Sequence, residues 1–200
     1  MDDLAPTTTA VLTQAVERHH PSLVLLCSFQ KEESVIVDEL VRIAPDARIV
    51  TIDTGVLFAE TLATWRAYEQ RFGVHVEVAE ARGAWTGPDQ CCGAAKVDAL
   101  ERTLAGADAW ITDIRREHSP TRSGAQPVEW DAKRSMWKFN PLVEWTERDL
   151  WVRIRERDLP YHPLHDQGFA SIGCAPCTQP GSGRDGRWAG SDKTECGLHV

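Results

Sequence analysis

The chain has 200 residues, 42% of them hydrophobic and 26% charged, which is typical of a globular domain that buries its own core. Its formal net charge of −8 argues against nonspecific nucleic-acid binding as the main role. The acidic, polar N-terminus MDDLAPTTTA and the lack of a long apolar run predict neither a signal peptide nor a membrane anchor. Six cysteines without a secretory signal indicate metal or redox chemistry in a cytoplasmic protein.

Helix and strand patterns alternate through the first half of the chain. A short N-terminal helix is predicted within residues 1–20, from Thr8 to His20, and Pro21 ends it. Continuous apolar runs predict buried strands, and helical spacing predicts the helices between them. The predicted strands are Ser22–Ser28, Ala47–Asp53 and Val74–Val78, and the predicted helices are Ser34–Ile43 and Phe58–Phe72. This alternation is typical of an α/β unit with a parallel sheet.

The second half adds further elements and an irregular tail. The predicted elements are a helix over 91–104, a strand over Asp108–Asp113, two short strands, Gln126–Asp131 and Met136–Asn140, and a helix over Thr146–Asp158. The two short strands are expected to pair as a hairpin, and Thr146 is expected to cap the last helix. The sequence therefore predicts one α/β domain with a mostly parallel central sheet flanked by helices, and a mobile C-terminal tail over 178–200.

Two pairs of cysteines call for a chemical explanation. Cys91 and Cys92 are adjacent, so a disulfide would strain the peptide between them and a single zinc ion would be awkward to share. A polynuclear cluster offers them separate metal atoms. Cys174 and Cys177 in SIGCAPC bring the set to four thiolates, enough for an iron–sulfur cluster, although a structural zinc module stays open. Cys27 lies inside an apolar strand and is expected to be a core residue.

Three polar loops follow predicted strands, at the edge where open parallel sheets bind ligands. They are Ser28–Glu33, Asp53–Gly55 and Asp113–Arg122. Ser28 and the amides after it could hold a phosphate at a helix N-terminus, although the loop carries neither of the glycine-rich nucleotide motifs. An ordinary connection between strand and helix explains such a loop as well.

The third loop contains arginines that could grip phosphate or sulfate oxygens in forked fashion. The side chains concerned are Arg115, Arg116 and Arg122, with Ser119 beside them. A solvated basic loop is an equally good explanation of these residues taken by themselves.

Two further residues stand out by their position. Lys96 follows Cys91 by one helical turn, where its ammonium would lie between a cluster and an anionic substrate unless it is simply a surface lysine. Cys196 lies in the terminal TECGLHV, where Lys193 and His199 would favour its thiolate and so a nucleophilic role. The alternative is a terminal cysteine without function.

With these residues assembled, the chain resembles the assimilatory adenylylsulfate reductases of the phosphoadenylylsulfate reductase family, from Ser22 to His199. The shared motifs are the CC pair with its lysine, WITDIRREHSPTR, KFNPLVEWTERDLW, LPYHPLHDQGFASIGCAPCTQP and ECGLH. A CC…CxxC set followed by ECGLH is highly specific. The resemblance implies a sheet like that of the adenine nucleotide alpha hydrolases and the thioredoxin-dependent reduction of adenosine 5′-phosphosulfate to sulfite and AMP, through an enzyme S-sulfocysteine. It leaves a homo-oligomer open.

The resemblance also assigns roles to residues of this chain. Cys196 would be the nucleophile, and Cys91, Cys92, Cys174 and Cys177 would hold one [4Fe-4S] cluster per chain. Lys96 would lie between cluster and sulfate, and the adenosine region would match Ser28 and Asp53, Thr54 and Gly55. The phosphosulfate would be contacted by Arg115, Arg116, Arg184, Arg187 and His199.

The chain departs from the family pattern at three places. The first loop is Ser28-Phe29-Gln30-Lys31 where Ser and Gly are usual, and His118 follows the arginine pair where Gln is usual. A neutral imidazole could replace that amide, or make a pH-sensitive contact. The segment after CAPC is short, so the match of Arg184 is less secure than that of Arg187.

Three rival functions remain open at the level of sequence. A reductase of the 3′-phosphorylated substrate is the nearest, although those relatives typically lack the two cysteine pairs. An ATP pyrophosphatase-type sulfurtransferase on the same sheet would leave ECGLH without a purpose. A structural zinc module would make CC and CxxC purely architectural.

Overall fold

The apolar runs of the first half form neighbouring parallel strands. A computed structural model describes residues 7–81, 83, 85, 87, 93–188 and 198. In these residues the strands are β1 Leu23–Leu26, β2 Arg48–Asp53, β3 Val76–Glu80, β4 Ala109–Ile111, β5 Val128–Asp131 and β6 Met136–Phe139. The helices are α1 Thr8–His19, α2 Lys31–Ile43, α3 Ala59–Phe72, α4 Ala94–Leu104 and α5 Glu147–Glu156. The predicted α/β alternation is confirmed.

The sheet has the strand order β3-β2-β1-β4-β6-β5 among the described residues. All neighbouring pairs are parallel except β5 and β6, which form the expected antiparallel hairpin. The chain runs outward from β1 to β3 and then returns to place β4 on the other side of β1. The crevice between β1 and β4 is therefore the topological switch point, where sheets of this kind bind ligands.

Helices cover the two faces of the sheet unequally. On one face α1, α2 and α5 and the aromatic side of α3 bury a core that includes Leu12, Leu40 and Leu150. On the other face α4 packs with the CxxC segment, so that Leu100, Cys177 and Trp188 share a second core. The segment that contains Cys174 and Cys177 therefore packs on the face of the sheet that α4 covers. None of the described helices is long and apolar enough to cross a membrane.

The predicted start of α2 was wrong by three residues. The helix was predicted from Ser34, but α2 begins at Lys31. Gln30 and Glu33 form a capping box at this end, in which Glu33 Oε2 accepts a hydrogen bond from the Gln30 amide at 3.1 Å, and this fixes the residue from which the helix starts. The cap predicted at Thr146 is confirmed, since its hydroxyl accepts a hydrogen bond from the Asp149 amide of α5.

The C-terminal segment folds back on itself before the last residues. Thr178 pairs with Arg187, and Gly181 pairs with Phe169, in two isolated bridges. Trp188 is 1% exposed. Residues 178–188 thereby form a packed wall beside the sheet, and the mobility predicted for the tail stays a prediction.

Candidate functional site

A cavity opens at the switch point, between the carboxyl ends of β1 and β4. Its floor is formed by the ends of β1 and β2 and by the residues that follow β4, and its far wall by the segment around Cys174. The described lining residues are Leu26, Cys27, Ser28, Phe29, Gln30, Glu33, Thr51, Ile52, Leu57, Thr61, Lys96, Thr112, Asp113, Arg122, Ile172, Gly173, Cys174, Arg184, Arg187 and Leu198. This lining is rich in the polar donors that an anionic ligand requires.

The loop after β1 is held by the cap of α2. The Ser28 amide and hydroxyl both donate to Oε1 of Glu33, at 2.8 and 2.7 Å, and the Gln30 amide donates to Oε2 at 3.1 Å. Burial, and then the nearby Asp113 carboxylate, raise the pKa of Glu33 well above its ordinary value. A protonated Glu33 would remove one negative charge from a cavity that also contains Asp113.

Four cationic side chains among the described residues line this cavity, and the sequence had singled out all four. They are Lys96, Arg122, Arg184 and Arg187. Arg187 is 9% exposed and donates from Nη1 to Ser171 Oγ and to the Ile172 carbonyl, at 3.1 and 3.2 Å. Arg184 and Arg187 both lie over the Trp188 ring, 5.0 and 4.8 Å from its centroid. The buried indole therefore fixes two cations in one wall.

The cysteines of the CxxC motif lie at the base of that wall. Cys174 and Cys177 are 5% and 1% exposed, and neither is in a disulfide. Cys174 Sγ lies 3.2 Å from Thr54 Oγ1, and Cys177 Sγ donates to the Cys174 carbonyl at 3.6 Å. The Ala175 amide donates to the Val56 carbonyl, which ties the motif to the end of β2. Two buried, unbridged thiols on one short turn suit a metal cluster, and the described half of the predicted ligand set fits one.

The loop after β2 lies beside the cavity. Asp53 accepts a hydrogen bond from the Gly55 amide at 2.7 Å, which closes a tight turn. Asp53, Thr54 and Gly55 line a neighbouring depression that shares Leu57 with the main cavity. The structure thus places the predicted adenosine loop next to the cavity that contains Ser28.

Arg115 and Arg116 are not among the described residues that line the cavity. Arg115 is 2% exposed and its guanidinium contacts the carboxylates of Glu32, Glu117 and Glu147 at 2.8 to 3.1 Å. Arg116 pairs with Glu144 and donates to the Ala125 carbonyl. Their predicted substrate contacts stay predictions, and the observed contacts of Arg115 are those of a buried structural ion pair.

Glu32 is the centre of that ionic network. Burial by itself would raise the pKa of Glu32, but Lys31, His118 and Arg115 together hold it well below its ordinary value. His118 Nε2 lies 2.8 Å from Glu32 Oε1, and His118 Nδ1 lies 2.9 Å from Nη1 of Arg122. The network therefore reaches from α2 to one of the cations of the cavity.

Thr61 in α3 is fixed by a buried histidine on the other side of the cavity. His162 Nδ1 accepts a hydrogen bond from the Leu164 amide at 3.3 Å, so its Nε2–H donates to Thr61 Oγ1 at 2.9 Å. Burial, and then His165, lower the pKa of His162 to about 4, so the ring is neutral at neutral pH. The Thr61 hydroxyl accepts from His162 and keeps its own hydrogen for an acceptor in the cavity.

Several predicted residues lie outside the described residues: Cys91, Cys92, Cys196 and His199. Leu198, two positions after Cys196, is described. It lines the cavity, and its carbonyl accepts a hydrogen bond from Nη2 of Arg134 at 3.2 Å. Of the ECGLH motif, the described Leu198 therefore lies at the cavity.

Several lining residues have no role that was predicted from the sequence. Gln30 and Glu33 were missed because their capping box begins with Gln rather than Ser or Thr. Asp113 was noted only as the first residue of a loop whose arginines were predicted to bind an anion. Thr61 carries no sequence signal, since only the fold brings it to the cavity beside His162.

Comparison with known proteins gives a family match over most of the chain. The family model of the phosphoadenosine phosphosulfate reductase domain matches residues 22–180. The chain is 44% identical to a phosphoadenosine 5′-phosphosulfate reductase of Gloeobacter violaceus, covering 100% of this chain and 90% of that protein. It is 41% identical to an adenosine 5′-phosphosulfate reductase of Bacillus pumilus, covering 99% and 93%.

Solved structures share the fold at lower identity. A phosphoadenylyl-sulfate reductase from Candida auris in a phosphate complex superposes with a TM-score of 0.71 at 22% identity, covering 85% of this chain and 89% of that one. An FMN adenylyltransferase of Candida glabrata, in complex with FAD and pyrophosphate, has a TM-score of 0.70 at 18% identity, covering 87% and 62%. These two structures confirm the predicted α/β fold.

Proposed function

The chain belongs to the phosphoadenosine phosphosulfate reductase domain family, and on that premise we propose that it reduces adenosine 5′-phosphosulfate to sulfite and AMP. One observation carries the proposal: a cavity at the switch point of the sheet combines four described cations with the buried Cys174 of the CxxC motif. Relatives at 41% and 40% identity are named adenosine 5′-phosphosulfate reductases, which supports the choice of substrate. The enzyme would act in sulfate assimilation.

The reaction would begin with a thiolate. Cys196 attacks the sulfur of adenosine 5′-phosphosulfate, the S–O bond to the phosphate breaks, and AMP leaves with the bonding electron pair. The enzyme retains an S-sulfocysteine. Negative charge grows on the phosphate oxygen as that bond breaks, and fixed cations around it lower the barrier. Arg122, Arg184 and Arg187 are proposed for that role, with Lys96 near the sulfate and His199 as a further contact.

A dithiol would complete the cycle. One thiolate of reduced thioredoxin attacks Cys196 Sγ and displaces sulfite, and the second thiolate resolves the mixed disulfide. Thioredoxin is oxidised to its disulfide and Cys196 returns to its thiol. Both electrons therefore come from thioredoxin. Reduced thiols at these positions fit a cytoplasmic enzyme.

We assign the four paired cysteines to one [4Fe-4S] cluster per chain. Cys174 and Cys177 would supply two ligands from the wall of the cavity, and Cys91 and Cys92 the other two. The cluster would supply a fixed local charge and order the segment that precedes Lys96, without transferring electrons.

Protein prepared without air should contain about four iron atoms per chain. Cys174→Ser should lose that iron, whereas Cys27→Ala, at a buried cysteine of the opposite core, should keep it; stoichiometric zinc would favour the structural module.

Mass spectrometry of the intact chain tests the function directly. Iron-loaded protein is mixed with adenosine 5′-phosphosulfate in the absence of a reductant. We expect a sulfonate adduct on Cys196, released as sulfite when reduced thioredoxin is added. The Cys196→Ser variant is the control and should remain unmodified. An unmodified Cys196 in the wild-type protein, or release of pyrophosphate from ATP, would overturn the assignment.

A second substrate has one observation in its favour. The relative from Gloeobacter violaceus, at 44% identity, is named a phosphoadenosine 5′-phosphosulfate reductase. A 3′-phosphate would add charge to the ligand, and the cationic cavity could accept it. Competition between the two nucleotides for turnover decides the question, and a preference for the 3′-phosphorylated compound would replace our choice.

A further inference from the structure

His118 connects a buried carboxylate to a cation of the cavity. Its Nε2 lies 2.8 Å from Oε1 of Glu32, and its Nδ1 lies 2.9 Å from Nη1 of Arg122. Arg122 is 7% exposed and lines the cavity, whereas Glu32 is 1% exposed and lies behind it. The imidazole is therefore a bridge with one partner on each side.

The two partners together assign the protonation state of the ring. A guanidinium can only donate, so Nδ1 must present its lone pair to Arg122. The Glu32 carboxylate can only accept, so the hydrogen of the neutral ring must be on Nε2. An imidazolium would place an N–H on Nδ1, directly against an N–H of Arg122 and beside a second positive charge.

The carboxylate end of the bridge is held in place. Nε and Nη2 of Arg115 donate to the same Glu32 oxygen at 3.1 and 3.0 Å, and Lys31 Nζ lies 3.7 Å from it. The charged and titratable groups around the ring come from α2, from the loop after β4 and from α5. Among the described residues, Glu32 and Arg122 contact the ring itself; Lys31, Glu33, Asp113 and Arg115 lie around Glu32, and Glu117 and Glu147 pair with Arg115.

We infer that neutral His118 is a positioning residue, which holds the Arg122 guanidinium where it can bind the anionic part of the substrate. Protonation of the ring ends the hydrogen bond from Arg122 and repels it, so substrate affinity falls as the pH falls. This inference rests on the proposed function for the identity of the ligand. It deepens that function by making one cation of the cavity dependent on the charge of a neighbouring side chain.

Glutamine is the informative replacement at this position. Its amide has an acceptor oxygen for Arg122 and a donor N–H for Glu32, and it does not titrate. His118→Gln should therefore keep the bridge at every pH. His118→Ala removes both hydrogen bonds and leaves Arg122 and Glu32 without this link, and His75→Gln, at an exposed histidine of the loop before β3, is the matched control.

The test measures binding of adenosine 5′-phosphosulfate by calorimetry in a Cys196→Ser background, where the ligand is not consumed. At neutral pH we expect His118→Ala to weaken binding on the order of tenfold, while His118→Gln stays within about threefold of the parent. As the pH is lowered, the parent and His75→Gln should lose affinity more steeply than His118→Gln. In the active enzyme the same loss should raise KM more than it lowers kcat.

Nitrogen-15 spectra of the histidine rings provide a second readout, in which His118→Gln identifies the signals of His118 by their loss. We expect those signals to show a protonated Nε2 and an unprotonated Nδ1, the tautomer that the contacts of His162 also assign to His162. A doubly protonated His118 at neutral pH, equal binding by His118→Ala and the parent, or the same pH profile for His118→Gln would overturn the inference. If the parent binds no adenosine 5′-phosphosulfate at any pH, the proposed function fails with it, whereas normal binding by His118→Ala removes only the role of His118.

Discussion

Gly173 shows how tightly the wall of the cavity is packed against Arg187. A Cβ built on this glycine would lie 2.6 Å from Nη2 and 2.8 Å from Nε of Arg187, much closer than any real contact. The guanidinium of Arg187 therefore occupies the space that a side chain at position 173 would need. The atoms in conflict belong to the far end of a flexible side chain, so the arginine and not the backbone would move.

Gly173→Ala should consequently impair binding more than folding. We expect the affinity for adenosine 5′-phosphosulfate to fall on the order of tenfold, because a charged group of the cavity is displaced. The free energy of unfolding should change by less than about 1 kcal/mol. Calorimetry and urea denaturation measure the two quantities, and Gly124→Ala, where a Cβ meets nothing within 4 Å, is the control. Unchanged affinity in Gly173→Ala would show that Arg187 is not needed where the structure places it.

His162 makes stability depend on pH. Its pKa is about 4 in the folded chain, against an ordinary value of 6.5, because the ring is buried. At pH values above the pKa of His162 in the unfolded chain, the ring is neutral in both the folded and the unfolded state. Its titration then does not reduce the stability of the fold. As the pH falls from 6.5 towards 4 the unfolded chain takes up a proton that the folded chain does not, so stability decreases over this range.

His162→Asn should remove this dependence while keeping a cap for the Leu164 amide. Between pH 7 and pH 5 the wild-type chain should lose about 2 kcal/mol more stability than the variant. Urea denaturation at the two pH values measures the difference. The exposed His75, changed to Asn, should behave as the wild type does. An equal loss in wild type and His162→Asn would contradict the assignment of a neutral buried ring.

At the scale of elements, caps decide where helices begin. The α2 cap pairs Gln30 with Glu33, and it was missed because Gln is an unusual first residue of a capping box. The α5 cap follows the common pattern, with Thr146 and Asp149 bonded to each other's amides. The start of a helix is thus predictable when its cap consists of residues that are common in caps. When the cap residues are uncommon, the predicted start is misplaced.

Thr146→Ala should destabilise the chain by about 1 kcal/mol, since the amide of Asp149 then loses its acceptor. Thermal or urea unfolding measures the change. Thr9→Ala is the matched control, because Thr9 is exposed in the first turn of α1 and serves no cap. A loss in Thr146→Ala no larger than in Thr9→Ala would mean that α5 is held by its packed face alone.

At the scale of the whole molecule, Arg115 joins parts of the chain that are far apart in sequence. It contacts Glu32 in α2, Glu147 in α5 and the Trp145 carbonyl before α5, from the loop that follows β4. A buried charged side chain is tolerated when oppositely charged groups pair with it. Without such a partner, the free-energy cost of removing the charge from water is not offset. The ionic network therefore connects the loop after β4 to α2 and α5.

Arg115→Ala should lower the free energy of unfolding by about 3–5 kcal/mol, because it leaves the buried Glu32 charge without the two hydrogen bonds that the guanidinium donates to it. Arg48→Ala is the control: Arg48 pairs with Glu77 where the side chains are 37% and 44% exposed, so the loss should be within about 1 kcal/mol. Urea denaturation compares them. Similar losses would mean that Lys31 and His118 suffice to hold Glu32.

The sequence by itself determined the alternation of strands and helices, the hairpin and the cap of α5, because these follow from local periodicity and from residue types at the ends of elements. Of the four cations that line the cavity, the sequence singled out Arg122 by its loop and Lys96 by its distance from the cysteine pair, and Arg184 and Arg187 only through the family resemblance. The tertiary structure alone decided that Arg115 turns away into an ionic network, that His118 connects Glu32 with Arg122, and that His162 fixes Thr61. Each of these depends on which side of a loop faces the core, and that choice is made by burial and by the pairing of charges between distant segments.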